Sequence, residues 1–117
     1  MPRQQSGLPA LDVAAARSYC EQRVPPHALH QVRCELMISR GAVTIVERRE
    51  PWRPDNGPEW TTGPVARLRY TISREVWTLY WRDRNHRFHR YPDLDPTPDI
   101  VELLDEIDQD PTGIFWG

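Results

Sequence analysis

The chain predicts an α+β fold: a single domain with a helix at each end and a five-stranded antiparallel meander between them. Three observations carry this. Apolar residues recur at helical spacing in two windows, near positions 11–24 and 100–107. Between those windows the period falls to two, through five segments separated by turn residues. The length, 117 residues, suits one buried core and is too short for two.

Leu8-Pro9-Ala10-Leu11-Asp12 opens the first helix, with a proline in the first turn and an acid near the positive end of the dipole. Leu11, Ala15, Tyr19 and Val24 form its expected apolar stripe, and Pro25-Pro26 ends it. Val32, Cys34, Leu36 and Ile38 then alternate with Gln31, Arg33, Glu35 and Met37 as a first strand. Ser39-Arg40-Gly41 turns the chain into a second, Ala42 to Glu47. Residues 48–64 contain four prolines and two glycines and read as one long loop, pinned to the surface by Trp52 and Trp60. Residues 1–7 carry no pattern and are expected to be flexible.

The third strand is expected over 65–71, the fourth over 76–82 and the fifth over 86–91. If Thr71 faces Val76, then Tyr70 opposes Trp77, Leu68 opposes Leu79 and Ala66 opposes Trp81, matching bulky with small on one face. Asp83-Arg84-Asn85 suits a three-residue hairpin, with asparagine in the left-handed position. That turn puts Arg82 opposite His86, Tyr80 opposite Phe88 and Leu79 opposite His89. Thr97 is expected to cap the last helix, with Pro98 at its first position. Ile100, Leu103, Leu104 and Ile107 form the buried stripe of that helix, leaving an acidic outer face. Pro111 and Gly113 break it. Ile114-Phe115-Trp116 is then expected to fold back as a docked aromatic tail, because three bulky apolar residues rarely stay in water.

Three segments carry a resemblance. Trp77-Thr78-Leu79-Tyr80-Trp81-Arg82-Asp83-Arg84-Asn85-His86-Arg87-Phe88-His89-Arg90-Tyr91 resembles the signature of a family of small bacterial proteins described only as a domain of unknown function. Val46-Glu47-Arg48-Arg49 with Pro51-Trp52, and the closing Asp110-Pro111-Thr112-Gly113-Ile114-Phe115-Trp116-Gly117, extend the resemblance over most of the chain. It implies a small stand-alone protein of high-GC bacteria. It attaches no activity, cofactor or catalytic residue to any position.

The net charge of −2 conceals a strong polarity. Residues 1–92 hold fifteen arginines and nine acids, 15 − 9 = +6, whereas residues 93–117 hold eight acids and no base, −8. There is no lysine, which together with twelve prolines fits the codon bias of a GC-rich genome. The alternative reading is selection for the planar, bidentate donors of arginine, which suit phosphate and carboxylate. Codon bias does not account for the segregation of charge.

On the expected registers the second face of the sheet displays Arg67, Arg69, Thr78, Tyr80, Arg82, His86, Phe88 and Arg90. Rings that stack on bases, standing among guanidinium groups that fork onto phosphates, are what single-stranded RNA or DNA requires. The plainer reading is a solvated outer face with Tyr80 and Phe88 as a cross-strand pair and the arginines bound to local acids. The candidate nucleic-acid-binding residues are Arg67, Arg69, Tyr80, Arg82, Phe88 and Arg90. An alternative role is a protein-interaction or regulatory adaptor docking acidic surfaces, possible also as a homodimer through the 48–64 loop.

Catalysis has little to stand on. No Gly-x-Ser-x-Gly elbow and no phosphate-cradling glycine loop is present. A small hydrolase would have to use Asp83 and His89, and a core histidine hydrogen-bonded to a neighbour is the ordinary outcome there. Cys20, His27, His30 and Cys34 are zinc-compatible ligands within fifteen residues, but their spacing matches no usual pairing, so no metal and no cofactor is expected. Two cysteines make no disulfide framework and read as free thiols. With no signal-peptide core and no long apolar run, no membrane association is expected and the cytoplasm is the expected location.

Overall fold

The computed structural model describes residues 7–51, 57 and 59–117. The expectations for residues 1–6 and for Trp52 fall outside them. Helix α1 (Ala10–Arg23) precedes a short 3-10 turn, Pro26–Ala28, and five strands follow: β1 (Val32–Ser39), β2 (Ala42–Arg49), β3 (Thr61–Thr71), β4 (Val76–Arg82) and β5 (Phe88–Arg90). Helix α2 (Ile100–Gln109) and an irregular tail close the chain. The strands lie in sequence order in one sheet, and every neighbouring pair is antiparallel. The α+β meander is therefore the fold, with both helices on one side. Leu8, Ala16 and Cys20 from α1 and its approach, and Ile100, Leu103, Leu104 and Ile107 from α2, share a core with Val43, Ile45, Leu68, Trp77 and Leu79.

Of the expected α1 stripe, Val24 is buried and Ala15 and Tyr19 pack partly buried against the core, but Leu11 does not belong to it. Leu11 is 86% exposed. The inward row is Leu8, Asp12, Ala16, Cys20 and Val24, each four residues from the last. Asp12 belongs in it because its carboxylate accepts the Trp77 indole N–H at 2.8 Å, satisfying the one polar atom of a fully buried tryptophan. At the other end, Asp99 rather than Thr97 caps α2, its carboxylate accepting from Val101 N–H at 3.1 Å. Thr97 is held one step earlier: its backbone exchanges two hydrogen bonds with Trp77, and its hydroxyl accepts from Asp99 N–H.

The expected 48–64 loop is shorter. β2 runs on to Arg49 and β3 begins at Thr61, because a bulge between Ile45/Ala66 and Val46/Pro64 resets the register and gives Pro64, which cannot donate, a place in the strand. The β3–β4 register is as expected, pair for pair, from Thr71 opposite Val76 to Ala66 opposite Trp81. The β4–β5 register is not. Tyr80 opposes Arg90, Trp81 opposes His89 and Arg82 opposes Phe88. The turn spans 83–87, and His86, not Asn85, takes the left-handed conformation at φ 62°.

Two of these features hold the ends in place. Asp83 Oδ1 accepts from the N–H groups of Asn85 (2.8 Å) and Arg87 (3.0 Å), while Oδ2 lies 2.7 Å from His89 Nε2. Asp110, itself left-handed, accepts through its carboxylate from the N–H groups of Phe115, Trp116 and Gly117. This folds the tail back, so that Phe115 is buried against Tyr91, ring centroids 5.3 Å apart. Trp116 is half-buried, with the Arg23 guanidinium 4.3 Å from its ring.

Candidate nucleic-acid interface

The face of the sheet turned away from both helices is built by alternation. Arg67 lies opposite both Thr44 on β2 and Tyr80 on β4, and Arg69 lies opposite Ala42 and Thr78. Tyr80 in turn opposes Arg90 on β5, which puts Phe88, two residues earlier, on the same face. Five of the six candidate residues, Arg67, Arg69, Tyr80, Phe88 and Arg90, are therefore brought together. The arginines lean along parallel diagonals. Arg69 places its guanidinium 5.9 Å from the Tyr80 ring, and Arg67 places its own 4.1 Å from Phe88 while its Nε donates to Thr44 Oγ1 at 3.0 Å. A third stack, Arg33 over Trp60 at 4.6 Å, links β1 to the residue just ahead of β3.

Arg82 departs from this group. Its Nε donates to the Pro64 carbonyl, which the bulge has freed, and its side chain lines a 230 Å³ cleft with Glu47, Arg49 and Trp116. His86, expected in the fifth strand, sits in the turn at its edge, where it still borders the hollow of this face.

The face is solvated, with Arg69 and Arg90 exposed, but two details of the plainer reading differ from the geometry. Because of the two-residue shift, Tyr80 and Phe88 are not directly opposed. Among the described residues the ion pairs are Arg48–Glu35 (3.3 Å), Arg49–Glu47 (2.8 Å) and His89–Asp83 (2.7 Å), so Arg67, Arg69 and Arg90 have no carboxylate partner. The acidic stripe of α2 lies on the helical side of the sheet and does not mask them. A guanidinium lying over a ring still has N–H groups with which to meet an anion.

This face also has depth. A hollow of 350 Å³ is lined by Met37 from β1, Thr44 and Val46 from β2, Pro64 and Arg67 from β3, and Phe88 from β5, with His86 at its rim. Elements at opposite edges of the sheet share one hollow, so the sheet curls toward this side. Sequence alternation missed Met37, Thr44 and Val46 as part of it. A signal was present: Ala42-Val43-Thr44-Ile45-Val46 is a continuous rather than alternating run, the mark of a strand covered on both faces, and all five are buried.

The other candidates separate. Asp83 and His89 do meet, and the hydrogen bond from His89, helped by the Arg87 and Asn85 N–H groups, holds the Asp83 carboxyl down at about 2. That carboxylate organises the hairpin, and the His89 ring stacks on Trp81 at 4.8 Å. Cys20 and Cys34 come together, whereas His27 and His30 are both exposed, on and just after the 3-10 turn. Among the described residues no three His, Cys, Asp or Glu side chains converge as a metal site requires. No helix among them is long and apolar enough to cross a membrane.

The profile of a family described as a domain of unknown function, DUF3024, matches residues 4–117. No curated protein matches the chain significantly, and neither does any solved structure.

Proposed function

The chain belongs to the DUF3024 family, and within it we propose that this protein is a non-enzymatic binding module that takes single-stranded RNA or DNA on its arginine–aromatic face. The observation that carries the reading is the set of guanidinium groups, Arg67, Arg69 and Arg90, that share one curled face with Tyr80 and Phe88 and have no carboxylate partner among the described residues. Phosphates engage the outward N–H edges of the stacked arginines. Bases meet the Tyr80 and Phe88 rings, and one unstacked base occupies the hollow between Met37, Thr44 and Phe88, whose 350 Å³ falls within the usual range for small-ligand sites. Arg82 stands aside from this contact set.

Two properties favour nucleic acid over an acidic protein. The donors are spread along two diagonals, as a backbone track needs, and aromatic surface lies between them. The charge is also polar across the molecule, with the acidic helix on the far side, which orients an approaching polyanion toward the arginines.

The test is binding of a labelled oligonucleotide measured over a range of salt. Affinity is expected to fall steeply with rising salt, and the slope of log K against log[salt] should shrink by about 0.7 for each phosphate contact removed. Arg67→Ala combined with Arg69→Ala should therefore flatten the slope by about 1.4. Absence of binding at low ionic strength, or a slope untouched by the double substitution, overturns the reading.

A further inference from the structure

Helix α1 lies against β1, and the contact brings two thiols together. Cys20 is the fourth member of the inward row of α1 and is 4% exposed. Cys34 belongs to the inward row of β1 and is half-buried against the same core. Thirteen residues lie between them in the chain, and the 3-10 turn among these returns the backbone so that the two side chains lie within hydrogen-bonding reach of each other. Both are free.

Their environments differ in a way that matters for chemistry. Cys34 forms part of the wall of a 220 Å³ cavity with Arg23, Val24, Ala28, Val32 and Trp116, whereas Cys20 does not line it. Sharing of the Cys34 proton holds the Cys20 thiol below its ordinary range, against the opposing effect of burial, and Arg17 adds to the lowering; the same sharing, together with burial, pushes Cys34 up. The carboxylates of Glu21 and Glu47 act on the pair in the opposite sense to Arg17 and Arg23. The first proton lost from the pair thus leaves a monoanion with one shared hydrogen. No metal explains the juxtaposition, since no third ligand joins the two sulfurs among the described residues.

We propose that Cys20 and Cys34 form a modification site, a dithiol that a small peroxide converts reversibly into an intrachain disulfide fastening α1 to β1. Once the pair has lost its first proton, the remaining shared hydrogen moves from Cys34 onto Cys20, and the small share of Cys34 thiolate so formed attacks the peroxide from the cavity side. The O–O bond breaks, a sulfur–oxygen bond forms, and the departing hydroxide takes a proton from solvent to become water. Cys20 then attacks the Cys34 sulfur. The S–S bond forms as the S–O bond breaks, and the proton of Cys20 leaves with the second hydroxide as a second water. The two sulfurs together lose two electrons and the peroxide gains them. A dithiol reductant reverses the step.

The full-length protein, reduced and then exposed to hydrogen peroxide under native conditions, tests this. Both thiols should become unreactive to an alkylating reagent added after denaturation. The monomer should lose the mass of two hydrogens, and dithiothreitol should restore both thiols. Cys20→Ser should instead leave a sulfenic acid at Cys34 that a dimedone probe captures. Cys34→Ser, in which only the buried thiol remains, should give little adduct. Two alkylatable thiols after peroxide, or thiols lost only through crosslinks between chains, would overturn the proposal. Both outcomes are read on the unaltered chain, so they stand even if a variant fails to fold.

Discussion

The two faces of the sheet are made by the same strands, yet they bury their surface by different means. On the helical side, Leu68, Trp77 and Leu79 are covered by α1 and α2, and two polar groups there find carboxylate partners: Trp77 donates to Asp12, and Tyr91 to Glu106 at 2.6 Å. Burial, and then that bond to Glu106, push the Tyr91 hydroxyl upward. On the other side no helix is present among the described residues. Ala42, Thr44 and Val46 are nevertheless buried, beneath long side chains whose guanidinium ends lie on aromatic rings. An arginine stem covers apolar surface while its head stays at the boundary with water. The comparison teaches that exclusion of water and the presentation of donors are separable. One face is committed to stability, and the other achieves partial burial while keeping its hydrogen-bonding edges outward.

Two phenylalanines put that separation to its hardest test. Phe115, on the helical side, is 4% exposed and held by three N–H bonds to Asp110 around it. Phe115→Ala should cost about 3–5 kcal/mol, a large part of the roughly 5–15 kcal/mol that a domain possesses. The melting temperature should fall by on the order of 10–20 °C. Oligonucleotide affinity, measured well below melting, should stay as it was. Deletion of residues 114–117 should destabilise at least as much. If the deletion melts like the full chain and only association with a partner is lost, the tail is an anchor and the helical face is not wholly committed to the core.

Phe88→Ala should show the reverse pattern. The ring is half-buried and its contact is with Arg67, a stack worth about 0.5–1 kcal/mol at an exposed site. Melting should therefore drop by only a few degrees. Loss of one base-stacking platform, worth about 1–3 kcal/mol, should lower affinity for single strands by roughly fivefold or more. Equal losses of stability from the two substitutions would show that the arginine face is a second core.

How much of this was legible follows from which errors the pattern can detect. The β3–β4 register was fixed by size matching and by a buried face, where a slip of one residue would turn Leu68 and Leu79 outward. The β4–β5 register slipped by two, and a two-residue slip leaves every side chain on its own face. Periodicity is blind to it. Only the turn decides, through the Asp83 carboxylate capping two amides and through a left-handed histidine that composition does not announce. The α1 stripe misled because the residue completing it is an aspartate, whose place depends on a tryptophan 65 positions away. The basic face was legible as a set of residues. The diagonal stacks and the diversion of Arg82 to Pro64 were not, since they depend on a bulge inside a segment that reads as loop.

The smallest expected effect belongs to the edge where the two faces meet, at the β4–β5 turn. Asp83 is held at about 2 in the folded chain, first by the hydrogen bond with His89 and then by the Arg87 and Asn85 amides. An unfolded aspartate titrates near about 3.9. A carboxyl depressed on folding stabilises the native state above its unfolded value, and that stabilisation is lost as pH falls through the folded one. The contribution should therefore be complete above about pH 4 and disappear by about pH 2. Carboxyl-detected NMR should place the Asp83 midpoint near 2, and the Asn85 and Arg87 amide signals should move with it, since both donate to Oδ1. Asp83→Asn keeps an oxygen for those amides but cannot ionise. It should abolish the acid-dependent shift while leaving the amides in place at neutral pH. The core aromatics around Tyr91 should not respond in that window. An Asp83 midpoint near 4 would mean that the carboxylate does not hold the turn, and the register of β5, with Phe88 beneath Arg67, would lose its support.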